Sequence, residues 1–321
     1  MINKLTVVII NYRTAAMLVD CLETLLAELT HIDALTLIVD NASNDGSEAI
    51  IDKWITNNAS SNVRLVCSSL NSGFSGGNNT GLREQESSYY LLLNSDTLVR
   101  EGAIKALLDA AVKYPKSGII TPRLEWPDKT PQESCFHFHS PISEFISTAQ
   151  TGIITKIFNK YNVPISVTNE PSSPDWSSFA CVLIRKEVFD DVGIMDDGYF
   201  MYFEDAEFCH RAQRAGWKVL NVPSAHVVHL RGGSSPVKEN TKLKKRLPRY
   251  YYESRTRYFY QLYGWFGLTS ANILWSLGRA ISKTRQIFGR KDKSISDKQW
   301  LDIWTNWLNP LKPYIHPDKY K

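Results

Sequence analysis

The chain has 321 residues, enough for one large domain with an appendage, and its 43% hydrophobic and 22% charged residues are typical of a globular protein. Its five cysteines form no CxxC pair, which argues against a disulfide framework or a cysteine zinc site and favours a reducing compartment. No signal-peptide pattern opens the sequence and no run of about 18 apolar residues occurs, so we expect a cytoplasmic protein without a membrane span.

The net charge of +4 is unevenly distributed along the chain. Residues 238–293 contain fourteen Lys or Arg and three Asp or Glu, a net charge of +11, which leaves −7 for the remainder. We therefore divide the sequence into an acidic body, residues 1–237, and a basic aromatic tail, residues 238–321. The acidic body and the absence of a recognisable nucleic-acid-binding motif argue against a nucleic-acid partner.

Apolar segments alternate with helical patterns through the first third of the chain. Strands are predicted at residues 5–10, 35–39, 63–66 and 89–93. Helices are predicted at residues 15–29, from about residue 48, after residue 79 and at residues 101–113. Because this rhythm is typical of βαβ units, we predict an α/β fold with a mostly parallel central sheet flanked by helices.

The middle of the chain is less regular. Residues 123–175 are rich in Pro and Ser, with a helical patch near residues 144–158, and we interpret them as an insertion or mobile loop over the site. Regular patterns return as a strand at 176–184 and a helix at 186–192. A helix then opens at residue 203 and ends near Gly216, and two further strands follow at 217–222 and 225–229.

Polar side chains follow three of the predicted strands. They are Asn11 and Arg13 after the first strand, Asp40, Asn41 and Asp45 after the second, and Asn94, Ser95 and Asp96 after the fourth. Ligands of open α/β sheets bind beyond the carboxyl ends of the strands, and a carboxylate there can hold a divalent cation that grips nucleotide phosphates. The alternative is that residues 94–96 turn the chain and cap the next helix.

A stretch rich in glycine and asparagine, residues 71–79, precedes the third predicted helix. It lacks both GxGxxG and GxxxxGK[ST], so it is neither a dinucleotide fingerprint nor a phosphate-binding loop of ATPases. Its glycines would let the backbone approach a ligand, which Asn71 or Asn78 could bind together with the backbone of Gly73 and Phe74. The alternative is a tight loop with capping asparagines.

Two further positions carry candidate chemistry. Glu204 and Asp205 follow an aromatic run at 199–203, and desolvation there would raise a carboxylate pKa and make it a better base. The alternative is a favourable interaction of both acids with the helix dipole. His229 could complete a metal site with Asp96, although a histidine beside two valines is more often structural, as we expect for His226.

Taken in order, these segments resemble the family 2 glycosyltransferases of the GT-A fold, especially the bacterial rhamnosyltransferase-like branch. The resemblance covers about residues 5–235. It includes the polar strand ends, the Asn-Ser-Gly-Phe-Ser-Gly-Gly-Asn-Asn stretch, Asp175-Trp176 before residues 183–186, Tyr-Phe-Glu-Asp-Ala-Glu-Phe-Cys-His-Arg and residues 229–233.

The resemblance implies an inverting transfer from a nucleotide-diphosphate sugar, dTDP-rhamnose or a UDP-hexose, to a glycan or lipid-linked saccharide, assisted by Mg²⁺ or Mn²⁺. By position, Asp40 and its neighbours would hold the base and ribose. Asp96 would bind the metal with His229 as a further ligand, and Asp205 would be the general base. Trp176 and Glu204 would shape the acceptor side.

The sequence departs from the family pattern at two places. The family's Asp-x-Asp is Asn94-Ser95-Asp96 here, which leaves one metal carboxylate instead of two. Phe179 stands where relatives commonly have glycine, and we expect it to narrow the sugar or acceptor pocket.

Two other functions stay open. One is a degenerate nucleotide-binding or scaffold protein of the same fold, and the other is a sugar nucleotidyltransferase. The tail offers its own alternatives: a pair of helices whose aromatics form a core, a contact with the inner face of the cytoplasmic membrane, or a homo-oligomer contact. Aromatics interleaved with Lys and Arg favour the membrane surface.

Overall fold

A computed structural model of the chain describes residues 3–58, 62–231, 236–289 and 295–319. The predicted motif at 229–233 and the basic residues at 290–293 lie partly or wholly outside the described residues. The chain forms two compact units, which we call the sheet unit (Met1–Cys135, Ser166–Asp197 and Phe208–Ser234) and the helical unit (Phe136–Ile165, Gly198–Glu207 and Ser235–Lys321). The functional division at residue 237 remains a prediction.

The first part of the chain alternates strands and helices. Its elements are β1 (Asn3–Asn11), α1 (Ala15–Leu29), β2 (Ala34–Asp40), α2 (Ser47–Asn57), β3 (Val63–Cys67), α3 (Gly73–Glu84), β4 (Ser87–Asn94), β5 (Thr97–Val99), α4 (Ala103–Lys113), β6 (Ser117–Glu125) and β7 (Cys135–Phe136). The predicted strands and helices of this part are therefore present, with ends shifted by at most two residues except at the start of α3.

The remainder adds short strands and longer helices. Its elements are α5 (Pro141–Ala149), α6 (Gly152–Ile157), a 3₁₀ turn (Asn159–Tyr161), β8 (Trp176–Ser177), β9 (Cys181–Arg185), α7 (Lys186–Val192), α8 (Glu204–Arg214), β10 (Lys218–His229), α9 (Val237–Lys242), α10 (Arg249–Ile287), α11 (Gln299–Asp302) and a 3₁₀ turn (Pro317–Lys319). Within the described ranges, no helix is both long and apolar enough to cross a bilayer.

Eight strands form the central sheet in the order β3-β2-β1-β4-β9-β6-β10-β5. The neighbours β3, β2, β1 and β4 run parallel, as do β6 and β10, whereas β9 and β5 are antiparallel to their neighbours. This mixed, mostly parallel sheet confirms the predicted α/β class. Because β1 lies between β2 and β4, the polar residues that follow these three strands meet at one edge.

The two faces of β1 are covered by different helices. Leu5, Val7 and Ile9 share a buried cluster with apolar residues of α1 and α4, while Val8 lies against Gly81 of α3. Alternating side chains point to opposite faces of a strand, so a continuous apolar run is what a strand covered on both sides requires. The sequence of β1 has that form.

Four local predictions are corrected. Residues 73–79 begin α3 instead of forming a loop, and α4 is preceded by β5, with the carboxylate of Glu28 accepting hydrogen bonds from the amides of Gly102 and Ile104. Residues 94–96 therefore do not cap α4. The predicted strand at 176–184 is divided into β8 and β9, and residues 217–229 form one strand, β10, with an irregularity between Val222 and His226. The helical patch predicted near residues 144–158 is present as α5 and α6.

The helical unit is organised around α10, which has a kink at Gly264, where φ is 65°. Ser140 caps α5, which runs beside α10, and Gly278 allows the close approach because a Cβ there would lie 2.6 Å from the carbonyl oxygen of Phe145. The buried pair Arg255 and Glu144, 2.7 Å apart, links the same two helices.

Many tail aromatics form the core of the helical unit. They are Tyr250, Tyr252, Tyr258, Phe259 and Trp275. The expectation that the tail aromatics serve a membrane interface is wrong for these residues, because their rings pack against other buried rings. A second set, on the outer side of α10 and near α11, is exposed.

Candidate active site

A buried polar cluster closes the ends of β1 and β2. Asn11 and Asp40 are neighbours in the parallel register, and the Asn11 Nδ2 donates to Asp40 Oδ1 (2.6 Å) and Ser43 Oγ (3.0 Å). The Ser43 hydroxyl donates to Asp40 Oδ1 (2.6 Å), and the Ser43 amide donates to Asp40 Oδ2 (3.0 Å). Asp40 is fully buried, so its carboxylate stabilises the loop after β2.

Arg13 and Asp45 lie at the outer side of this cluster. Arg13 is exposed, its backbone has φ 59°, and its Nε donates to the carbonyl oxygen of Ser43 (3.0 Å). Asp45 accepts hydrogen bonds from the hydroxyl and amide of Ser47, which lower the pKa of the Asp45 carboxyl. Their predicted contacts with the donor nucleotide remain predictions, as does that of Asp40.

Asn41 connects the loop after β2 to the start of α3. Its Nδ2 donates to Asn71 Oδ1 (3.0 Å) and to the carbonyl oxygen of Gly73 (2.9 Å). Its Oδ1 accepts from the Ser72 amide at 3.1 Å. Asn41 and Asn71 are both buried, so this amide pair fixes the backbone of the glycine-rich stretch from within.

The glycines of α3 serve helix–sheet packing. A Cβ at Gly77 would lie 3.0 Å from Ile10, and a Cβ at Gly81 would lie 2.5 Å from Val8. The Asn78 side chain donates to the carbonyl oxygen of Phe74 one turn earlier in the same helix (3.0 Å). These contacts give the glycine-rich motif a structural role, and the predicted donor contacts of Gly73, Phe74 and Asn78 remain predictions.

Asn79, which sequence analysis did not select, holds a second segment. Its Nδ2 donates to the carbonyl oxygen of Met195 (2.8 Å), its Oδ1 accepts from the Met195 amide (3.1 Å), and it also donates to Asp197. Paired asparagines in a sequence do not reveal which of them faces a distant segment, so only the structure distinguishes Asn79 from Asn78.

The Asn94-Ser95-Asp96 motif follows β4, at the same edge of the sheet as Asn11. Ile10 is paired with Asn94 across β1 and β4, and the hydroxyls of Thr14 and Ser95 are 2.8 Å apart and share a hydrogen bond. Asp96 is 8% exposed. The motif therefore presents one carboxylate at the junction of two parallel strands, as predicted.

The antiparallel pairing of β5 and β10 brings His229 to Asp96. His229 is the register partner of Thr97, and the amide of Leu230 donates to the carbonyl oxygen of Asp96 (2.9 Å). The His229 Nε2 lies 3.4 Å from Asp96 Oδ1, and both side chains are largely buried. Residues separated by more than 130 positions in the sequence thus form one small polar site.

The composition of this site fits a hard or borderline divalent cation. A carboxylate oxygen and an imidazole nitrogen are both ligands that such cations accept, and atoms 3.4 Å apart could share one ion. The His229 Nδ1 is buried and has no hydrogen-bond partner among the described residues. In the same part of the chain no group of three or more His, Cys, Asp or Glu residues could hold a metal, so further ligands would come from substrate or water.

Glu204 and Asp205 begin α8, and the backbone before them is unusual. Tyr202 and Phe203 have φ values of 75° and 68°, a conformation that costs about 1–3 kcal/mol for each non-glycine residue. Ring contacts in the helical unit hold this turn: Tyr251 packs against Tyr202 and Phe203, and Tyr258 packs against Phe203. The tail therefore helps to determine where α8 begins.

The two acids have different environments. Glu204 is buried, and burial together with the neighbouring Asp205 raises the pKa of Glu204 well above its ordinary value. Its Oε2 has no hydrogen-bond partner in the described part of the chain. Asp205 is half-buried, and its Oδ1 accepts a hydrogen bond from the amide of Ala206 (2.9 Å).

Trp176 and Phe179 lie near the break between β8 and β9. Trp176 is half-buried in β8, and its acceptor role remains a prediction. Phe179 is 2% exposed and packs edge-on against Phe208, with ring centroids 5.9 Å apart. In this structure Phe179 belongs to the core of the sheet unit.

The fold is that of the GT-A glycosyltransferases. The chain aligns with GalNAc-T7, solved with UDP, GalNAc and Mn²⁺, at a TM-score of 0.61 and 14% identity, over 95% of this chain and 58% of that chain. The family model "Glycosyl transferase family 2" matches residues 6–205, which is more than half of the sequence, and the chain belongs to this family.

Two characterised relatives place it within the rhamnosyltransferase-like members of the family. The N-acetylglucosaminyl-diphospho-decaprenol L-rhamnosyltransferase of Mycobacterium tuberculosis is 28% identical over 67% of this chain and 73% of its own length. The low-salt glycan biosynthesis hexosyltransferase Agl10 of Haloferax volcanii is 26% identical over 71% of this chain and 66% of its own. The chain is therefore a glycosyltransferase similar to enzymes of glycan synthesis.

Proposed function

We propose that this glycosyltransferase inverts the anomeric configuration as it moves a sugar from a nucleotide-diphosphate donor to a hydroxyl of a saccharide or lipid-linked saccharide. dTDP-rhamnose is the favoured donor, because the Mycobacterium tuberculosis relative is a rhamnosyltransferase, and a UDP-hexose is the second choice. The observation that carries the proposal is the Asp96–His229 pair, 3.4 Å apart, at the carboxyl end of β4.

We assign Asp96 and His229 as the protein ligands of Mg²⁺ or Mn²⁺. When bound, the metal would stabilise the negative charge that develops on the departing diphosphate. The presence of Mn²⁺ with UDP in the GalNAc-T7 structure supports a divalent metal. A single carboxylate beside a neutral imidazole leaves more positive charge on the ion than two carboxylates would, which favours an anionic ligand.

Asp205 is proposed as the general base. Its carboxylate would take the proton from the acceptor hydroxyl while that oxygen attacks the anomeric carbon, and the bond to the diphosphate oxygen would break on the opposite face. Burial and the neighbouring Asp205 raise the pKa of Glu204, which favours the neutral acid and makes Glu204 the poorer base of the two. The aromatic residues around the turn at 202–203 fix the backbone that carries both acids.

A panel of nucleotide sugars tests the reaction. The full chain is incubated with each donor, Mn²⁺ and saccharide acceptors, and the anomeric configuration of the product is determined by NMR spectroscopy. The proposal predicts an inverted linkage with one donor. A retained linkage would contradict the mechanism, nucleotide binding without transfer would support the degenerate alternative, and formation of a nucleotide sugar from a triphosphate would support the nucleotidyltransferase.

We also propose that the outer face of α10 contacts an anionic membrane surface, where a lipid-linked acceptor would lie. Phe266, Ile273, Leu277 and Ile287 recur at helical spacing and are 86, 49, 51 and 81% exposed. Lys283 lies at the edge of this stripe. An apolar stripe with a basic side chain at its edge fits the headgroup region of an anionic leaflet.

Vesicle flotation tests this contact. A triple substitution of Phe266, Leu277 and Ile287 by serine should reduce binding to vesicles with anionic lipid, whereas the same change at the exposed Leu70, Val112 and Ile153 should not. Equal flotation of both variants would contradict the proposal. If the wild-type chain forms a concentration-dependent oligomer that only the first variant loses, the stripe is a contact between copies of the chain.

A further inference from the structure

Arg231 follows the site residue His229 and has a constrained backbone. Its φ is 57°, a left-handed conformation that is uncommon for residues other than glycine, asparagine and aspartate. Such conformations persist where surrounding contacts enforce them, and they are frequent at ligand sites.

The guanidinium group of Arg231 is held from three sides. Its Nε donates to Gln132 Oε1, its Nη2 donates to the carbonyl oxygen of Glu133 (3.3 Å), and its Cζ lies over the Trp126 ring, 5.4 Å from the centroid. Two hydrogen bonds and one cation–π contact hold the planar guanidinium more firmly than the flexible side chain of a lysine would be held. Arg231 is therefore positioned before any ligand arrives.

Gln132 couples this cation to the metal-binding side of the site. It is 4% exposed, and its Nε2 donates to the carbonyl oxygens of His229 (2.8 Å) and Glu125 (3.0 Å), while its Oε1 accepts from Arg231. One buried side chain thus sets both the backbone of His229 and the guanidinium. The separation of the His229 backbone from the Arg231 guanidinium is therefore set by a buried side chain and not by exposed residues.

Asp96 lies within electrostatic reach of Arg231. An arginine has so high an ordinary pKa that it stays charged. The site therefore has a positioned cation near the carboxylate of Asp96.

We propose that Arg231 binds the diphosphate of the sugar donor and stabilises the charge that it gains when the sugar leaves. This inference rests on the proposed function and adds a residue that donates hydrogen bonds to phosphate oxygens. When the anomeric carbon–oxygen bond breaks, its electron pair stays with the diphosphate. Arg231 keeps its protons and supplies positive charge and N–H donors at that oxygen group.

Calorimetry with nucleotides separates a phosphate contact from a structural one. The wild-type chain and Arg231→Gln are titrated with UDP, UMP and uridine, and with the thymidine series, in buffer with EDTA and again with Mn²⁺. Loss of a charged hydrogen bond should weaken diphosphate binding by about tenfold or more in both buffers and leave the nucleoside unchanged. The diphosphate affinity of Arg231→Lys should lie between those of the wild-type chain and Arg231→Gln.

The controls keep the outcomes distinct. Arg64→Gln, an exposed arginine on β3, should bind every ligand like the wild-type chain. Equal diphosphate affinity of wild type and Arg231→Gln overturns the inference, and so does an equal loss for nucleoside and diphosphate together with a lower unfolding temperature, which would mark Arg231 as a structural anchor. If the wild-type chain binds no nucleotide in either series, the proposed function itself fails.

Discussion

Asp205 and Glu204 are adjacent in sequence but differ in what their surroundings favour. Asp205 is half-buried with one helix amide as a hydrogen-bond donor, whereas Glu204 is buried and its pKa is raised. A base must be charged before it accepts a proton, and burial favours the neutral form of a carboxyl group. These surroundings therefore favour Asp205 over Glu204 as the base.

Replacement of Asp205 by asparagine tests this assignment. We expect turnover to fall by about 10²- to 10⁴-fold, because a positioned base contributes that much to a proton transfer. Donor affinity, measured by calorimetry with the nucleoside diphosphate, should stay within a factor of two or so of wild type, since the change removes no proposed donor contact. Near-normal turnover would show that another group accepts the proton.

The site residues show what a sequence can and cannot reveal. Asp96 could be selected because ligands of open α/β sheets bind beyond the carboxyl ends of the strands, whereas His229 was selected chiefly through the family resemblance. Ser43 and Gln132 could not, because serine and glutamine are common and their roles depend on hydrogen bonds to Asp40 and His229. Asn78 was chosen over Asn79, although both have internal partners.

His139 gives the helical unit a dependence on pH. Burial lowers the pKa of this imidazole to about 4, whereas the unfolded chain would bind a proton near pH 6.5. Between these values the unfolded state binds more protons, so stability falls as the pH drops below about 6.5, by at most about 1.4 kcal/mol per pH unit for one group.

Urea unfolding at several pH values measures this dependence. His139→Phe should reduce the slope of unfolding free energy against pH between about 4.5 and 6.5, since the substituted ring does not titrate. His31→Gln, at an exposed position, should leave the slope unchanged. An identical slope for wild type and His139→Phe would mean that other groups cause the acid sensitivity.

At the scale of elements, α3 shows how a motif that looks like a ligand loop serves packing. The glycine pattern raises the expectation of a loop, yet the helix begins at Gly73 because Asn41 and Asn71 bind its first turn and the glycines let it approach β1. Strand and helix periodicity predicted the sheet well. The close approach of α3 to β1 leaves no periodic pattern in the sequence, so it could not be predicted from the sequence.

Gly81→Ala tests the packing role of α3. A methyl group there would lie 2.5 Å from Val8, and we expect a loss of about 1–3 kcal/mol, reduced by the better helix propensity of alanine. Gly152→Ala is the matched control, because nothing lies within 4 Å of its added Cβ. If both variants have the same free energy of unfolding as wild type, α3 adjusts without cost and the packing argument is wrong.

At the scale of the whole molecule, the tail has two sets of aromatic residues with different surroundings. Tyr251 and Tyr258 pack on the turn before Glu204, whereas Phe266 and Trp300 are exposed. Composition could not separate the sets, because both consist of rings between basic residues. The acidic body and the basic tail therefore divide the chain by charge, whereas the two compact units divide it by its internal contacts and at other residues.

A chain that ends at residue 237 should lose turnover even with a water-soluble acceptor. The reason is that the truncation removes the rings of Tyr251 and Tyr258, which hold Tyr202 and Phe203 in their left-handed conformation. Tyr258→Ala in the full chain should lower turnover in the same direction. By contrast, the serine variant of the exposed stripe should keep wild-type turnover with that acceptor. Normal turnover of the truncated chain would show that catalysis does not require the tail.

In the proposed mechanism, Asp96 and His229 hold a divalent metal on the donor diphosphate. This is tested by measuring the release of nucleoside diphosphate from the preferred nucleotide sugar, with Mn²⁺ or with EDTA, for wild type, Asp96→Asn and His229→Gln. We expect wild type to release nucleoside diphosphate with Mn²⁺ and to release it at least about 10²-fold more slowly in EDTA. Mn²⁺ should have little effect on the release rate of Asp96→Asn. Equal release by wild type and Asp96→Asn under both conditions would contradict this mechanism.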